Sequence, residues 1–158
     1  MLVVDCFDEC LGDLGFGGIE VVSRNQYGGA TTETAYATAE NLLVSYPDVD
    51  GVFTPNESTT FGMLRALIDA DRTDSARLVG FDANESLVGA LRDGKIHGLV
   101  VQNPVRMGDL AVRTAVANLH GEEVEARIDT GATMVTADNM EEPDVAALLD
   151  PDLSVLDD

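Results

Sequence analysis

The sequence predicts an α/β fold built on a doubly wound parallel sheet, and three observations lead there. Short runs rich in Val, Leu and Phe alternate along the chain with longer segments of helical spacing, which is the pattern of right-handed βαβ crossovers. The short runs in DGVFTPN, SARLVGFD and IHGLVVQ show no polar alternation, as strands covered on both faces require. Each run leads into a polar side chain, Asn56, Asp82 and Gln102 respectively. In an open parallel sheet the ligand crevice lies outside the carboxyl ends of the strands, so these three are the candidate binding residues.

With 158 residues and 45% apolar content, the chain suits one globular domain with a real core. No run approaches the roughly 18 consecutive apolar residues of a membrane span. The opening MLVVDCFDEC lacks the basic-then-apolar order of a secretory leader. Charge is the strongest compositional signal: 29 acidic residues stand against 9 basic ones, with Lys95 the single lysine, for a formal net charge of -20. Such a field repels phosphate backbones and sets nucleic acid aside as a partner. Because the acids are spread along periodic segments, they predict a solvated acidic surface of the kind halophiles carry.

Taken in order, Phe7, Leu11 and Leu14 recur at helical spacing from Cys6 to Leu14, and Gly15, Gly17 and Gly18 stop that helix. Cys6 and Cys10 lie on it with no His or Cys partners to complete a zinc set, so two free thiols are expected. The glycines follow a helix and precede a strand, the reverse of the order a phosphate cradle needs. GIEVVS is predicted as a short strand and RNQYGGA as a turn. Thr31 or Thr32 then caps a helix over TETAYATAENLLVSY, with Ala35, Ala39, Leu42, Leu43 and Tyr46 as its apolar stripe.

Strand DGVFTPN precedes helix ESTTFGMLRALIDA, whose apolar positions are Phe61, Leu64, Leu67 and Ile68. Strand SARLVGFD, helix ESLVGALRDG and strand IHGLVVQ follow. The helix PVRMGDLAVRTAVANLHG opens on proline and closes on His120 and Gly121, the usual asymmetry of helix ends. After EEVEAR, IDTGATMVT reads as a last strand, and DNMEEPDVAALLDPDLSVLDD holds a weak helical turn among acids.

The chain has no G-x-S-x-G elbow, no H-E-x-x-H and no G-x-x-x-x-G-K, so neither catalysis nor a cofactor or metal is expected. His97 at a strand start and His120 at a helix C-terminus have ordinary structural readings. A carboxylate accepts hydrogen bonds and each amide both donates and accepts, so Asp82, Asn56 and Gln102 together suit a neutral polyhydroxyl ligand. No cationic fork converges with them, and an ionised Asp82 repels phosphate or carboxylate. The competing reading is structural: Asn56 and Asp82 as helix N-caps, and Gln102 as a polar residue ahead of a proline turn.

The stretches DGVFTPNESTTFGMLRAL, LVGFDANESLVGALRDGKIHGLVVQNPVRMG and IDTGATMVTADNM resemble the C-terminal half of type I periplasmic binding proteins of ABC transporters, the ribose-type sugar binders. The resemblance runs from about Gly18 to Asp152. It implies one lobe of a Rossmann-like, two-lobe fold joined by a three-segment hinge, with sugar held between the lobes and sandwiched by aromatic rings. By motif, the family's sugar-binding Asn, Asp and Gln fall on Asn56, Asp82 and Gln102. Where the family often has an aromatic followed by Asp-Arg, this chain has Ala30, Thr31 and Thr32, so the resemblance places no stacking ring there.

The resemblance further implies that residues 1–152 form the C-terminal lobe and 153–158 an acidic tail. The helix over 104–120 then belongs with an N-terminal lobe that the sequence does not contain, and the chain is expected to be a truncated sugar-binding component rather than an enzyme. Its partners are expected to be a monosaccharide and, through the full-length protein, an ABC permease. Its location is expected to be extracytoplasmic, with any membrane anchor outside this sequence. The orphaned helix is expected to leave Val105, Leu110, Ala111, Ala115, Val116 and Leu119 either partly in water or covered by a second copy, the latter giving a homodimer. Two alternatives are the effector-binding domain of a LacI-type transcriptional regulator, which shares this fold, and a non-functional fragment. The VVQNP, RMG and DTG series is closer to the transport proteins.

Overall fold

Residues 19–151 are described by a computed structural model. The helix expected over Cys6–Leu14, both cysteines and the acidic tail of residues 153–158 lie outside the described residues. The chain divides between Gly80 and Phe81 into two compact units.

In the unit ending at Gly80, α1 (Thr32–Ser45) starts at Thr31. The Thr31 hydroxyl accepts the Thr34 N–H and the Thr34 hydroxyl accepts the Thr31 N–H, each at 3.3 Å, which satisfies two otherwise orphaned donors. The helix buries Ala35, Ala39 and Leu43, three of the five residues on the predicted stripe. It packs on α2 (Glu57–Asp69), and Gly62 sets how closely: a Cβ there would stand 2.7 Å from both the Ala35 Cβ and the Tyr36 backbone nitrogen. The buried face of α2 holds Thr60, Met63, Leu64, Ala66 and Leu67, whereas Ile68 is 45% exposed. The expected face is thus rotated toward Met63 and Ala66, because α1 covers the side that carries Gly62.

Between the helices runs β1 (Gly51–Phe53), parallel to β2 (Arg77–Phe81) with Val52 opposite Leu78. Arg77 N–H donates to Asp50 at 2.7 Å and Thr54 N–H to Val79 at 3.0 Å, extending the ladder at both ends. Together β1, α2 and β2 are the βαβ crossover that the alternating pattern predicts. The expected strand GIEVVS differs: over residues 19–23 the backbone joins no ladder among the described residues. Ile19 is 56% and Val22 45% exposed, so β-branched content alone did not make a strand among the described residues.

In the unit from Phe81, α3 (Glu85–Arg92) buries Leu87, Ala90 and Leu91, and Ile96, Leu99, Val135 and Met140 of the same unit are buried as well. Full burial of each such leucine contributes about 1.5–3 kcal/mol. Strand β3 (Gly98–Val101) pairs with β4 (Thr133–Val135) in antiparallel register, Leu99 opposite Val135 and Val101 opposite Thr133. This departs from an all-parallel reading, and the connection explains it. The intervening helix α4 (Pro104–Leu119) buries none of its residues, so it does not pack back to carry the chain to the start of β3. The last strand therefore enters from the carboxyl end of β3.

Asn103 caps α4 by accepting the Arg106 N–H at 2.9 Å, with Pro104 at the first position. The weak helical turn expected in the tail is a formed helix, α5 (Pro143–Leu149), which buries Val145. Ahead of it, Asn139 accepts the Thr136 N–H at 2.8 Å and donates to the Met134 carbonyl at 3.0 Å, clamping the exit of β4. Among the described residues no helix is long and apolar enough to cross a membrane.

Candidate functional site

Asn56 lies three residues beyond the end of β1 and is the N-cap of α2. Its Oδ1 accepts the Thr59 N–H at 3.0 Å, the Ser58 hydroxyl at 3.0 Å and the Thr59 hydroxyl at 2.9 Å. Its backbone carbonyl accepts the Thr60 hydroxyl at 2.7 Å, and Thr60 in turn meets the buried Thr54 hydroxyl at 2.9 Å. The cap is thus anchored to the end of β1 by a buried pair of hydroxyls. The Nδ2 donors of Asn56 take part in no hydrogen bond among the described residues, and the residue is exposed. The capping half of the structural reading is therefore correct for Asn56, and it engages only the acceptor end of the side chain.

Asp82 immediately follows β2 and is half-buried. Its φ is 65°, in the left-handed region that side chains with a Cβ rarely enter. The capping reading does not hold for it. The cap of α3 is Asn84, whose Oδ1 accepts the Leu87 N–H at 2.9 Å. Asp82 instead donates its backbone N–H to Val100 at 2.9 Å, which places it beside β3 near the carboxyl end of that strand. Gln102 is the first residue past the same strand end, half-buried, and its side chain makes no hydrogen bond among the described residues. The fold of this unit therefore brings Asp82 and Gln102 to one strand-end region. A strained backbone at such a position marks a candidate functional residue.

Chemically, an ionised Asp82 accepts only, Asn56 is left with donors, and Gln102 keeps both an acceptor and two donors. Two cavities are lined by neighbours of these residues in the chain but by none of the three themselves. One of about 300 Å³ is lined by Val101, Asn103, Arg106, Thr130 and Asp144 among others, and a smaller one of about 100 Å³ by Thr38, Leu42, Thr54 and Thr59 among others. The left-handed turn at Asp82 and the transfer of capping to Asn84 were not legible in the sequence. The only hint was a second short polar residue directly before Glu85. The Ser58 and Thr59 contacts had a clearer signal, since Asn followed by Ser and Thr is a helix-start pattern.

The sequence profile described as periplasmic binding protein domain matches residues 2–123. The ribose import binding protein RbsB of Escherichia coli is 38% identical over 96 residues, covering 61% of this chain and 32% of that protein. A carbohydrate transporter solute binding protein from Agrobacterium radiobacter, solved in complex with D-arabinose, superposes with a TM-score of 0.82 at 35% identity over 90% of this chain and 48% of its own. An ABC transporter solute binding protein from Agrobacterium vitis, solved with bound D-fucose, does so with a TM-score of 0.75 at 33% identity, covering 80% and 44%. The chain spans about a third of the length of the curated relatives it matches and about half that of these structures.

Proposed function

Because this chain belongs to the periplasmic binding protein family, we propose that it is the sugar-contacting part of a solute-binding protein that serves an ABC transporter outside the cytoplasm. It binds and releases its ligand without chemical change. Asn56, Asp82 and Gln102 carry the contacts, and the observation that supports this most is Asp82, held in a left-handed turn at a strand end without a capping role. Relatives named for ribose import, and structures solved with D-arabinose and D-fucose, support a monosaccharide as the ligand class. The helix α4 belongs with a second lobe that supplies the opposite wall of the cleft, and its lack of any buried residue supports that reading.

In this arrangement Asp82 accepts ligand hydroxyl protons in charge-assisted bonds, which are about twice as strong as neutral ones. Asn56 and Gln102 add neutral bonds of about 0.5–1.5 kcal/mol each. One wall alone then gives binding in the millimolar range, around -4 kcal/mol. The test is an NMR titration of the 158-residue chain with a panel of pentoses and hexoses. Saturable binding that Asp82→Ala weakens most, with Asn56→Ala and Gln102→Ala each near about tenfold, is the expected result. No saturable binding to any sugar, or an indifferent Asp82→Ala, overturns the proposal.

A further inference from the structure

We infer that Asn56 meets the ligand as a hydrogen-bond donor only, because Ser58 and Thr59 occupy its acceptor. This rests on the sugar-site reading above and deepens it. A carboxamide oxygen has two lone pairs, and here the Thr59 N–H and the Ser58 hydroxyl, both at 3.0 Å, already fill them. The Thr59 hydroxyl at 2.9 Å is a third candidate donor, its single proton divided between Oδ1 and the Asn56 carbonyl at 3.0 Å. These donors also decide which end of the amide is which: turning it over would set Nδ2 against the Thr59 N–H. The backbone of Asn56 is held as firmly, through Thr60 and the buried Thr54 hydroxyl. What the side chain offers a ligand is the two protons of Nδ2.

The consequence is a polarity rule for the ligand. The atom that meets Asn56 must carry a free lone pair, so a hydroxyl, ring or ether oxygen serves, while an ammonium group, with donors and no acceptor, is refused. Asp82 imposes the opposite demand, since an ionised carboxylate needs an O–H and leaves an ether oxygen unpaired. The ligand atom that meets Asn56 is thus a neutral oxygen acceptor. Ser58 and Thr59 are positioning residues that set this polarity.

The test separates the cap from the contact. Asn56→Asp keeps a cap acceptor for α2 and removes the donors, and Asn56→Ser does the same without adding charge. The nitrogen-15-labelled full chain is titrated with D-ribose, following the Asn56 side-chain amide pair, identified by its absence from the spectra of both variants. The expected result is a saturable shift of that pair, with both variants melting like the parent yet binding at least about tenfold more weakly. If D-ribose moves the signals of Asp82 and Gln102 but not the Asn56 amide pair, and either stable variant binds like the parent, the donor assignment is overturned while the sugar site stands. If none of the three residues responds to any sugar of the panel, the site reading itself falls, and this inference with it.

Discussion

The backbone N–H of Asp82 donates to the Val100 carbonyl across 2.9 Å while Asp82 itself holds a φ of 65°. The turn is thus tied to the neighbouring strand in a conformation that a Cβ makes unfavourable. Asp82→Ala and Asp82→Gly both remove the carboxylate and differ only in that Cβ. Asp82→Ala is expected to be the less stable of the two by about 1 kcal/mol, because glycine enters the left-handed region freely. Coincident urea midpoints for the two variants would contradict the strained turn.

Between α1 and α2, the Tyr36 hydroxyl lies 2.9 Å from Asp69 and 3.0 Å from Glu40, with the Arg65 guanidinium 4.7 Å above its ring. Hydrogen bonding to Asp69, then to Glu40, pushes the phenol up from 10.0 to about 12. The folded chain therefore keeps this proton over an interval in which the unfolded chain has lost it. The stabilisation is complete below pH 10.0 and disappears as pH rises through about 12. The melting-temperature advantage of the parent over Tyr36→Phe should shrink across that interval. An advantage that stays constant up to pH 12 would show that the shift does not arise from folding.

The helix α4 buries no residue, and Val112 and Leu119 are 64% and 83% exposed, whereas α2 buries six residues. Local opening follows the loss of few apolar contacts, so amide exchange in α4 is expected to be faster than in α2 by several-fold or more. Equal protection in a chain shown to be monomeric by light scattering would refute this. Slower exchange on raising the concentration would instead report a second copy covering the stripe.

The net charge of -20 repels itself in the compact state. Raising KCl from about 0.1 M to about 2 M shortens the screening length from about 10 Å to under about 3 Å, so the melting temperature is expected to rise. Superimposed melting curves at the two salt concentrations would mean that the charges are too well spread to matter.

Much of this protein was determined by short-range information. The threonine cap at Thr31 or Thr32, the proline start of α4 at Pro104 and the apolar runs of β1, β2 and β3 depend on residues within about four positions of one another, and they were legible as such, with the structure choosing Thr31. The polar residues Asn56, Asp82 and Gln102 at the strand ends were legible for the same reason. What the tertiary structure decided involves partners far apart in the chain. Ile19 to Ser23 had strand composition but joins no ladder among the described residues, and β4 runs against β3 because α4 does not fold back. Met63 rather than Ile68 faces the core because Gly62 lets α1 come close on that side. The structural reading had made Asp82 a cap, but Asn84 caps α3 while the Asp82 backbone is bonded to Val100. Propensity ranks the candidates at a position, but pairing and burial choose among them, because those energies exist only once distant segments are in contact.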